Sequence, residues 1–131
     1  MATVRCFEDL KIWQMSRELY QDIFRITCYE KFSKDYKFKE QIRSSSGSIM
    51  DNIAEGFERG GNKEFIQFLA IAKGSCGETR SQLHRSFDSK YIEKEEYDSL
   101  CQKAIEISKS ISALIDYLKQ SEIKGIKYKK D

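Results

Sequence analysis

The sequence contains no proline, a single histidine and no long run of hydrophobic residues. A membrane-spanning helix needs about 20 consecutive apolar residues, so the absence of such a run argues against a membrane protein. The opening residues, MATVRCFEDL, lack the apolar stretch of a secretory signal, and we expect no such signal. The chain of 131 residues is 40% hydrophobic and 34% charged, which is typical of one soluble, helix-rich domain.

Cysteine pairs with the spacing of a metal site are also missing. The four cysteines are Cys6, Cys28, Cys76 and Cys101, and no two of them form a C-x-x-C pair. This spacing argues against a structural zinc site and favours free thiols in a reducing cytoplasm. We therefore expect a cytoplasmic protein that holds no metal and no cofactor.

Basic charge is concentrated at the C-terminus. The last 13 residues, KQSEIKGIKYKKD, contain five lysines, one glutamate and one aspartate, a net charge of +3, whereas the preceding residues carry −1. We place the folded domain at residues 1–121 and expect residues 122–131 to form a flexible basic tail. That tail either solubilises the chain or contacts nucleic acid.

Apolar residues recur at spacings of three and four in four long segments, which predicts four helices. These run from about Glu8 to Glu30, Tyr36 to Arg59, Asn62 to Ser89 and Glu93 to Ser121. Gly60 and Gly61 favour a helix end, and Asn62 is a good N-cap residue. Short connections make successive helices antiparallel, so we predict an all-α fold, an antiparallel up-down-up-down four-helix bundle.

The second segment carries two stripes of residues. Its apolar core stripe consists of Phe38, Ile42, Ile49, Ile53 and Phe57. Beside it lies a stripe that we call the polar seam: Gln41, Ser45, Ser48, Asn52, Glu55 and Arg59. Gly56, at the border, would let another helix approach closely. The polar seam is either a solvated flank or a hydrogen-bonded contact, within the bundle or between subunits, with Glu55 and Arg59 spaced for an ion pair.

The third segment has a comparable second surface. Its core stripe is Phe65, Phe68, Leu69, Ala72, Cys76, Thr79, Leu83 and Phe87. Away from the core lie small residues flanked by isoleucine, which we call the outer face: Ile66, Ala70, Gly74, Gly77 and Ser81. Each mid-helix glycine costs about 1 kcal/mol relative to alanine. The outer face is either a self-association surface or part of a slightly suboptimal surface helix.

No arrangement of residues points to catalysis. A di-iron bundle needs two Glu-x-x-His pairs, whereas His84 is the single histidine, and we place it on the surface. The spacing suggests no Ser/His/acid triad, and the glycine pair at 60–61 lacks the phosphate-loop pattern. The acidic run at 93–96 complements a helix dipole better than it would bind Mg²⁺. We expect a protein that is not an enzyme.

Three stretches occur in order: FEDLKIW, QIRSSSGSIMDNIAEGFER and FLAIAKGSCGE, with YIEKEEY after them. Through these residues the chain, over about residues 5–120, resembles the bacterial four-helix-bundle family encoded in 23S rRNA intervening sequences, which is sometimes filed under ribosomal proteins. The NIAEG group with its flanks is the most specific part. One departure is Thr79, near which members of the family often have leucine.

The resemblance implies a cytoplasmic, ring-forming homo-oligomer, with a pentamer as the expected state. The family is similar to the accessory variability protein of diversity-generating retroelements, a basic barrel that binds nucleic acid and a reverse transcriptase. Candidate contacts to RNA or DNA are Arg43, Arg59, Lys63, Lys73, Arg80, Arg85, Lys127, Lys129 and Lys130. The alternative is an oligomeric adaptor that binds another protein. Because aromatic residues mostly occupy core stripes, we expect no stacking platform for single-stranded bases.

Overall fold

The computed structural model describes the backbone of residues 4–129 and the side chains of residues 4–121. It contains five α-helices: α1 (Lys11–Thr27), α2 (Glu30–Lys34), α3 (Tyr36–Glu58), α4 (Asn62–Asp88) and α5 (Lys94–Lys129). A 3-10 turn precedes α1, and the described residues include no β-strand. The predicted all-α class is therefore confirmed, and the four long helices are consistent with a helical bundle.

The first predicted helix, from about Glu8 to Glu30, corresponds to α1, which begins three residues later and ends three residues earlier, and the short α2 after it was not predicted. The hydroxyl of Thr27 donates to the carbonyl oxygen of Phe24 at 2.7 Å. The backbone N–H of Tyr29 donates to the carbonyl oxygen of Ile26 at 3.1 Å. These tightened bonds end α1, and Tyr29 then adopts an extended conformation. The chain reverses there into the short α2, whose Phe32 is completely buried.

The turn between α3 and α4 follows the predicted glycine signal. Gly60 has φ +85°, a left-handed conformation that favours glycine after a helix end. Gly61, in an extended conformation, is the N-cap of α4, so the prediction of Asn62 as the N-cap is wrong by one residue. Asn62 is instead the first residue of the helix, and its side chain is exposed.

The predicted core stripes are largely buried. The core side chains on α3, α4 and α5 include Phe38, Ile42, Ile49, Ile53, Phe65, Leu69, Ala72, Cys76, Leu83, Leu100, Ala104, Ile107, Ile111 and Leu118. On α1 the apolar residues cover a wide arc because this helix contacts both α3 and α5. Phe24 is the exception in that arc, since its ring is 44% exposed.

The four long helices contact one another in a closed order. Helix α3 packs against α1 and α4, and α5 packs against α4 and α1. The tightest pairings are those of α4 with its two neighbours, whereas α1 and α5 share fewer contacts. The contacts of α4 with α3 and α5 are therefore the most extensive between the described helices.

Helix α5 is the longest element and continues past its expected end near Ser121 to Lys129. Residues 130–131 and the side chains of 122–131 lie outside the described residues, so the flexible basic tail remains a prediction. None of the helices within the described residues combines the length and the hydrophobicity that crossing a bilayer requires.

Candidate functional site

Gly56 lies where α3 and α4 come closest. A β-carbon built on Gly56 would stand 2.6 Å from Cβ of Phe68 and 3.1 Å from Cδ1 of Phe65. Real β-carbons essentially never approach another heavy atom under 3.0 Å, so no residue other than glycine fits without a shift of α4. The close approach expected at Gly56 is present, and the approaching helix belongs to the same chain.

The polar seam begins with a buried cluster of three side chains. The hydroxyl of Ser45 on α3 donates to Oε1 of Gln82 on α4 at 2.5 Å, and it lies 3.0 Å from Oγ1 of Thr79. All three side chains are buried. Because unpaired polar groups are costly to bury, this cluster joins α3 to α4 only while every member has its hydrogen bond.

One turn further along α3, the polar seam makes a second set of hydrogen bonds, one to α4 and two within α3. The hydroxyl of Ser75 donates to Oγ of Ser48 at 3.1 Å. Nδ2 of Asn52 donates to the backbone carbonyl of Ser48 at 2.8 Å and to its Oγ at 2.9 Å. Ser48 and Asn52 are half-buried. In this part the polar seam is a hydrogen-bonded contact within one chain.

The remaining members of the polar seam are exposed. Gln41 points to solvent near the start of α3. Glu55 and Arg59 form the expected ion pair, with Nη2 of Arg59 3.1 Å from Oε1 of Glu55. The guanidinium carbon of Arg59 also lies 5.1 Å from the ring centroid of Phe68, so the arginine packs over the α3–α4 contact. Exposed pairs of this kind contribute little to stability.

We expect Ser45→Ala to lower the free energy of unfolding by about 2 kcal/mol, because Gln82 and Thr79 would be buried without their shared hydroxyl partner. Adding Gln82→Met should recover part of this loss, since the Gln82 amide is then no longer buried without its partner, whereas the Thr79 hydroxyl still is. Ser46→Ala is the matched control, because its buried hydroxyl bonds only to carbonyl groups of α3 itself. Urea denaturation measures Ser45→Ala, Gln82→Met, their combination and Ser46→Ala. If the losses in the combined variant were the sum of those in the two single variants, Ser45 and Gln82 would not be coupled.

Apart from Ile66, which packs partly against the core, the outer face of α4 is exposed within the described part of the chain. Ala70, Gly74, Gly77 and Ser81 are exposed, and Ile66 is half-buried. A β-carbon at either Gly74 or Gly77 would meet no heavy atom within 4 Å. The packing of the chain therefore gives no reason for these two glycines, in contrast to Gly56.

Three of the candidate basic residues already have contacts within the chain. Nε of Arg43 donates to Oγ1 of Thr27 at 2.8 Å, and its guanidinium carbon lies 4.1 Å from the ring centroid of Phe24. Arg59 pairs with Glu55 as described above. The guanidinium carbon of Arg85 lies 4.3 Å from the ring centroid of Phe38, while the arginine side chain remains exposed.

The other candidates whose side chains are described are spread along α4. Lys63, Lys73 and Arg80 are exposed on α4. Lys63 lies in the first turn of α4 and Arg85 in the last, about 33 Å apart along a helix that rises 1.5 Å per residue. The side chains of Lys127, Lys129 and Lys130 lie outside the described residues.

The residues considered for catalysis have structural contacts. His84 is exposed, as expected, and its Nδ1 lies 2.6 Å from the hydroxyl of Tyr97. In the acidic run, Glu96 accepts hydrogen bonds from Tyr29 and from Nη1 of Arg25 at the junction of α1 and α5. Burial raises the pKa of the Cys76 thiol to about 12. No group of His, Cys, Asp or Glu suited to a metal ion occurs within the part of the chain that is described.

Residues 8–113 match the sequence profile of the 23S rRNA-intervening sequence protein family. This range is most of the chain, and it includes the polar seam, the outer face and the NIAEG group. The chain belongs to this family. The resemblance carried by those residues is thereby confirmed.

A solved structure shows the same architecture in another member of this family. It is a protein of unknown function from the S23 ribosomal protein family of Bacteroides thetaiotaomicron, 28% identical in sequence. The superposition has a TM-score of 0.73 and covers 79% of this chain and 97% of that chain. A search of curated protein sequences gave no match. Because the role of the Bacteroides family member is unknown, function must be argued from the surfaces of this chain.

Gln82 and Ser75 are the residues of the site that the sequence did not reveal in this family member. Both were left unassigned, whereas Thr79 was placed in the core stripe. Ser75 and Gln82 are spaced seven apart and therefore lie on one face of α4. That polar repeat beside an apolar stripe was a usable signal, but only the structure shows that it faces Ser45 and Ser48.

Proposed function

We propose that this family member is a non-enzymatic assembly protein of the cytoplasm. Copies of the bundle associate into a ring, with five as the number that the family resemblance implies, and the ring binds RNA or other nucleic acid. The observation that carries the proposal is the pair of exposed glycines on the outer face of α4.

An antiparallel up-down-up-down arrangement of the four long helices fits the pairs of residues that touch. Between α1 and α3 the pairs are Thr27 with Arg43 and Tyr20 with Gly47, and between α3 and α4 they are Ser45 with Gln82 and Gly56 with Phe65. His84 with Tyr97 joins α4 to α5. Asp22 with Lys103 and Arg25 with Glu96 join α1 to α5. Wherever two pairs join the same helices, residue numbers rise along one helix as they fall along the other. Short connections favour the same topology.

Self-association would account for the glycines on α4. Two glycines in the middle of a helix lose about 1 kcal/mol each relative to alanine, and none of the described residues comes within 4 Å of a β-carbon placed at Gly74 or Gly77. Close packing of a helix from another copy would offset that loss. Ile71, 52% exposed, lies one position from Ala70 and would also be covered. A ring requires that the outer face meet a different surface on the next copy.

Nucleic-acid binding rests on the resemblance and on exposed charge. Lys63, Lys73 and Arg80 stand on α4 with no ion pair to any residue whose side chain is described. Repetition of these cations around a ring would multiply a weak phosphate affinity. In the alternative, a protein adaptor, the outer face and the neighbouring Ile71 would receive another protein instead of a second copy.

Size-exclusion chromatography with light scattering tests this proposal. The protein is purified without nuclease, and absorbance is read at 260 and 280 nm across the peak. We expect a mass about five times the 15.4 kDa of one chain, with excess absorbance at 260 nm that salt removes. A monomer would overturn the assembly proposal. An oligomer whose absorbance ratio is that of protein alone, and which does not bind added RNA, would favour the adaptor.

A further inference from the structure

The segment from Lys31 to Lys39, KFSKDYKFK, forms the corner between α2 and α3. It contains four lysines and one aspartate, a net charge of +3 in nine residues, whereas residues 1–118 as a whole carry −1. We call this segment the lysine corner. It is the densest cationic stretch of the bundle, and none of its lysines was among the residues expected to bind nucleic acid.

Two buried phenylalanines hold the lysine corner on the core. Phe32 and Phe38 are buried, and their rings stack with centroids 5.4 Å apart. Tyr91 packs against Phe32, with ring centroids 4.9 Å apart. The backbone N–H of Ser33 donates to the carbonyl oxygen of Tyr29 at 2.8 Å. The polar residues between the two phenylalanines are therefore presented from a fixed backbone.

Tyr36 projects from the lysine corner into solvent. Its side chain is 71% exposed, the largest value for any large hydrophobic residue of the described chain. Its ring pairs with no other aromatic side chain within the described residues. Nζ of Lys39 lies 4.9 Å from the ring centroid and also donates to the carbonyl of Ser33 at 3.3 Å. Tyr36 is therefore an exception to the expectation that the aromatic residues occupy core stripes.

The single aspartate of the corner is already engaged. The hydroxyl of Tyr91 donates to Oδ2 of Asp35 at 2.6 Å, and the backbone N–H of Phe38 donates to Oδ1 at 3.3 Å. The hydrogen bond from Tyr91 and, to a smaller extent, that from the Phe38 backbone lower the pKa of Asp35. Asp35 is also the N-cap residue of α3. Lys31 and Lys37 are exposed and make no ion pair with a described side chain. They are available to a ligand.

We propose that the lysine corner binds single-stranded nucleic acid. An unpaired base stacks on the ring of Tyr36, and the phosphates on either side contact Lys31, Lys37 and Lys39. Every base has a flat π-face, so stacking tolerates sequence, and lysines follow the backbone charge. A duplex keeps its bases inside the helix and cannot supply this contact. The inference rests on the proposed nucleic-acid association and gives it a location and a strand class.

Fluorescence anisotropy with a labelled single strand of about 20 nucleotides tests the stacking contact. The full chain is titrated against RNA, against DNA of the same mixed sequence, and against the matching duplex. We expect Tyr36→Ala to weaken single-strand binding about tenfold, in line with alanine substitutions at stacking sites, and Tyr36→Phe to bind as the wild type does. Tyr117→Ala is the control, because Tyr117 is also exposed but lies on α5.

The charge contact has its own test in the salt dependence of binding. Each phosphate contact on a single strand contributes about 0.7 to the slope of log K against log salt concentration. Replacing Lys31 and Lys37 by glutamine should therefore reduce that slope by about 1.4. The control replaces Lys11 and Lys109, two exposed lysines elsewhere, and should leave the slope unchanged apart from the small effect of net charge.

The outcomes separate this inference from the proposed function. If the wild type binds and Tyr36→Ala binds equally well, the lysine corner is wrong and nucleic-acid association survives. If the wild type binds neither RNA nor DNA, both fail. Equal affinity for duplex, or displacement of the strand by polyglutamate at equal charge, would also overturn the stacking contact. Titrations with RNA and with DNA show which of the two the lysine corner prefers. A loss of affinity in Tyr36→Ala for either strand supports the inference. Circular dichroism verifies that each variant is folded.

Discussion

Gly56→Leu is expected to destroy the packing of α3 against α4 and to leave the chain unfolded or unable to assemble. Even the first carbon of the new side chain would stand 2.6 Å from Cβ of Phe68. The three further carbons would enter space held by Phe65 and the α4 backbone. Overpacking by small additions commonly costs about 1–3 kcal/mol, and a leucine here should lose about 3 kcal/mol or more, a large share of the stability of a domain of this size.

Two smaller substitutions make the Gly56 experiment a sharp one. Gly56→Ala adds only the β-carbon and should lose about 1–2 kcal/mol after the gain in helix propensity is included. Gly47→Ala is the control on the same helix, because its β-carbon would meet Cε1 of Tyr20 at 3.5 Å, an ordinary contact. That variant should be up to about 1 kcal/mol more stable. Thermal and urea unfolding measure the series, and a stable, assembled Gly56→Leu protein would contradict the close contact.

If copies assemble through the outer face as proposed, the double variant Gly74→Leu/Gly77→Leu is expected to be a folded monomer. Both glycines face open space within the chain, so leucine should not disturb the core. It should even raise the helix propensity of α4 by up to about 1 kcal/mol per site. Between copies, two leucine side chains on the outer face would hold apart any helix that now packs closely there.

Light scattering across a dilution series measures this change, with circular dichroism to show that the helices persist. Ser99→Leu/Gln102→Leu is the control, because it places two leucine side chains at the same spacing on exposed positions of α5. We expect that control to keep the wild-type mass. An unchanged oligomer in the α4 variant would remove the outer face from the interface, and assembly would have to use another surface.

Much of the fold could be read from periodicity. The apolar spacing along α3, α4 and α5 predicted which residues are buried, because each of these helices packs one continuous stripe against the core. The periodicity placed the end of the first helix near Glu30, three residues too late, and gave no sign of α2. Residues 27–30, Thr-Cys-Tyr-Glu, contain neither glycine nor proline to mark the break. Burial of Phe32 decides that turn, and a tertiary contact of this kind leaves no local signal.

The candidate site was less accessible to sequence reasoning. The polar seam was recognised on α3, but its partners on α4 were not, since one helical stripe does not reveal what lies opposite. Thr79 shows the difficulty, because its spacing assigned it to the apolar core and its hydroxyl joins the buried cluster with Ser45. Tyr36 was overlooked for a related reason. It sits among core phenylalanines in the sequence, and only the direction of its side chain separates it from them.

The buried hydrogen bond between Ser45 and Gln82 also helps to fix the register of α3 against α4. Two helices joined only by aliphatic side chains can slide past each other by one turn, about 5.4 Å, and regain most of their contacts. Such a slip here would carry Gln82 away from Ser45 and Ser75 away from Ser48, and would leave polar atoms buried without partners. The cluster therefore acts as a register lock between α3 and α4. Because the outer face lies on the same α4 helix, the Ser45–Gln82 contact would, in the proposed assembly, also set the angle at which each copy meets the next.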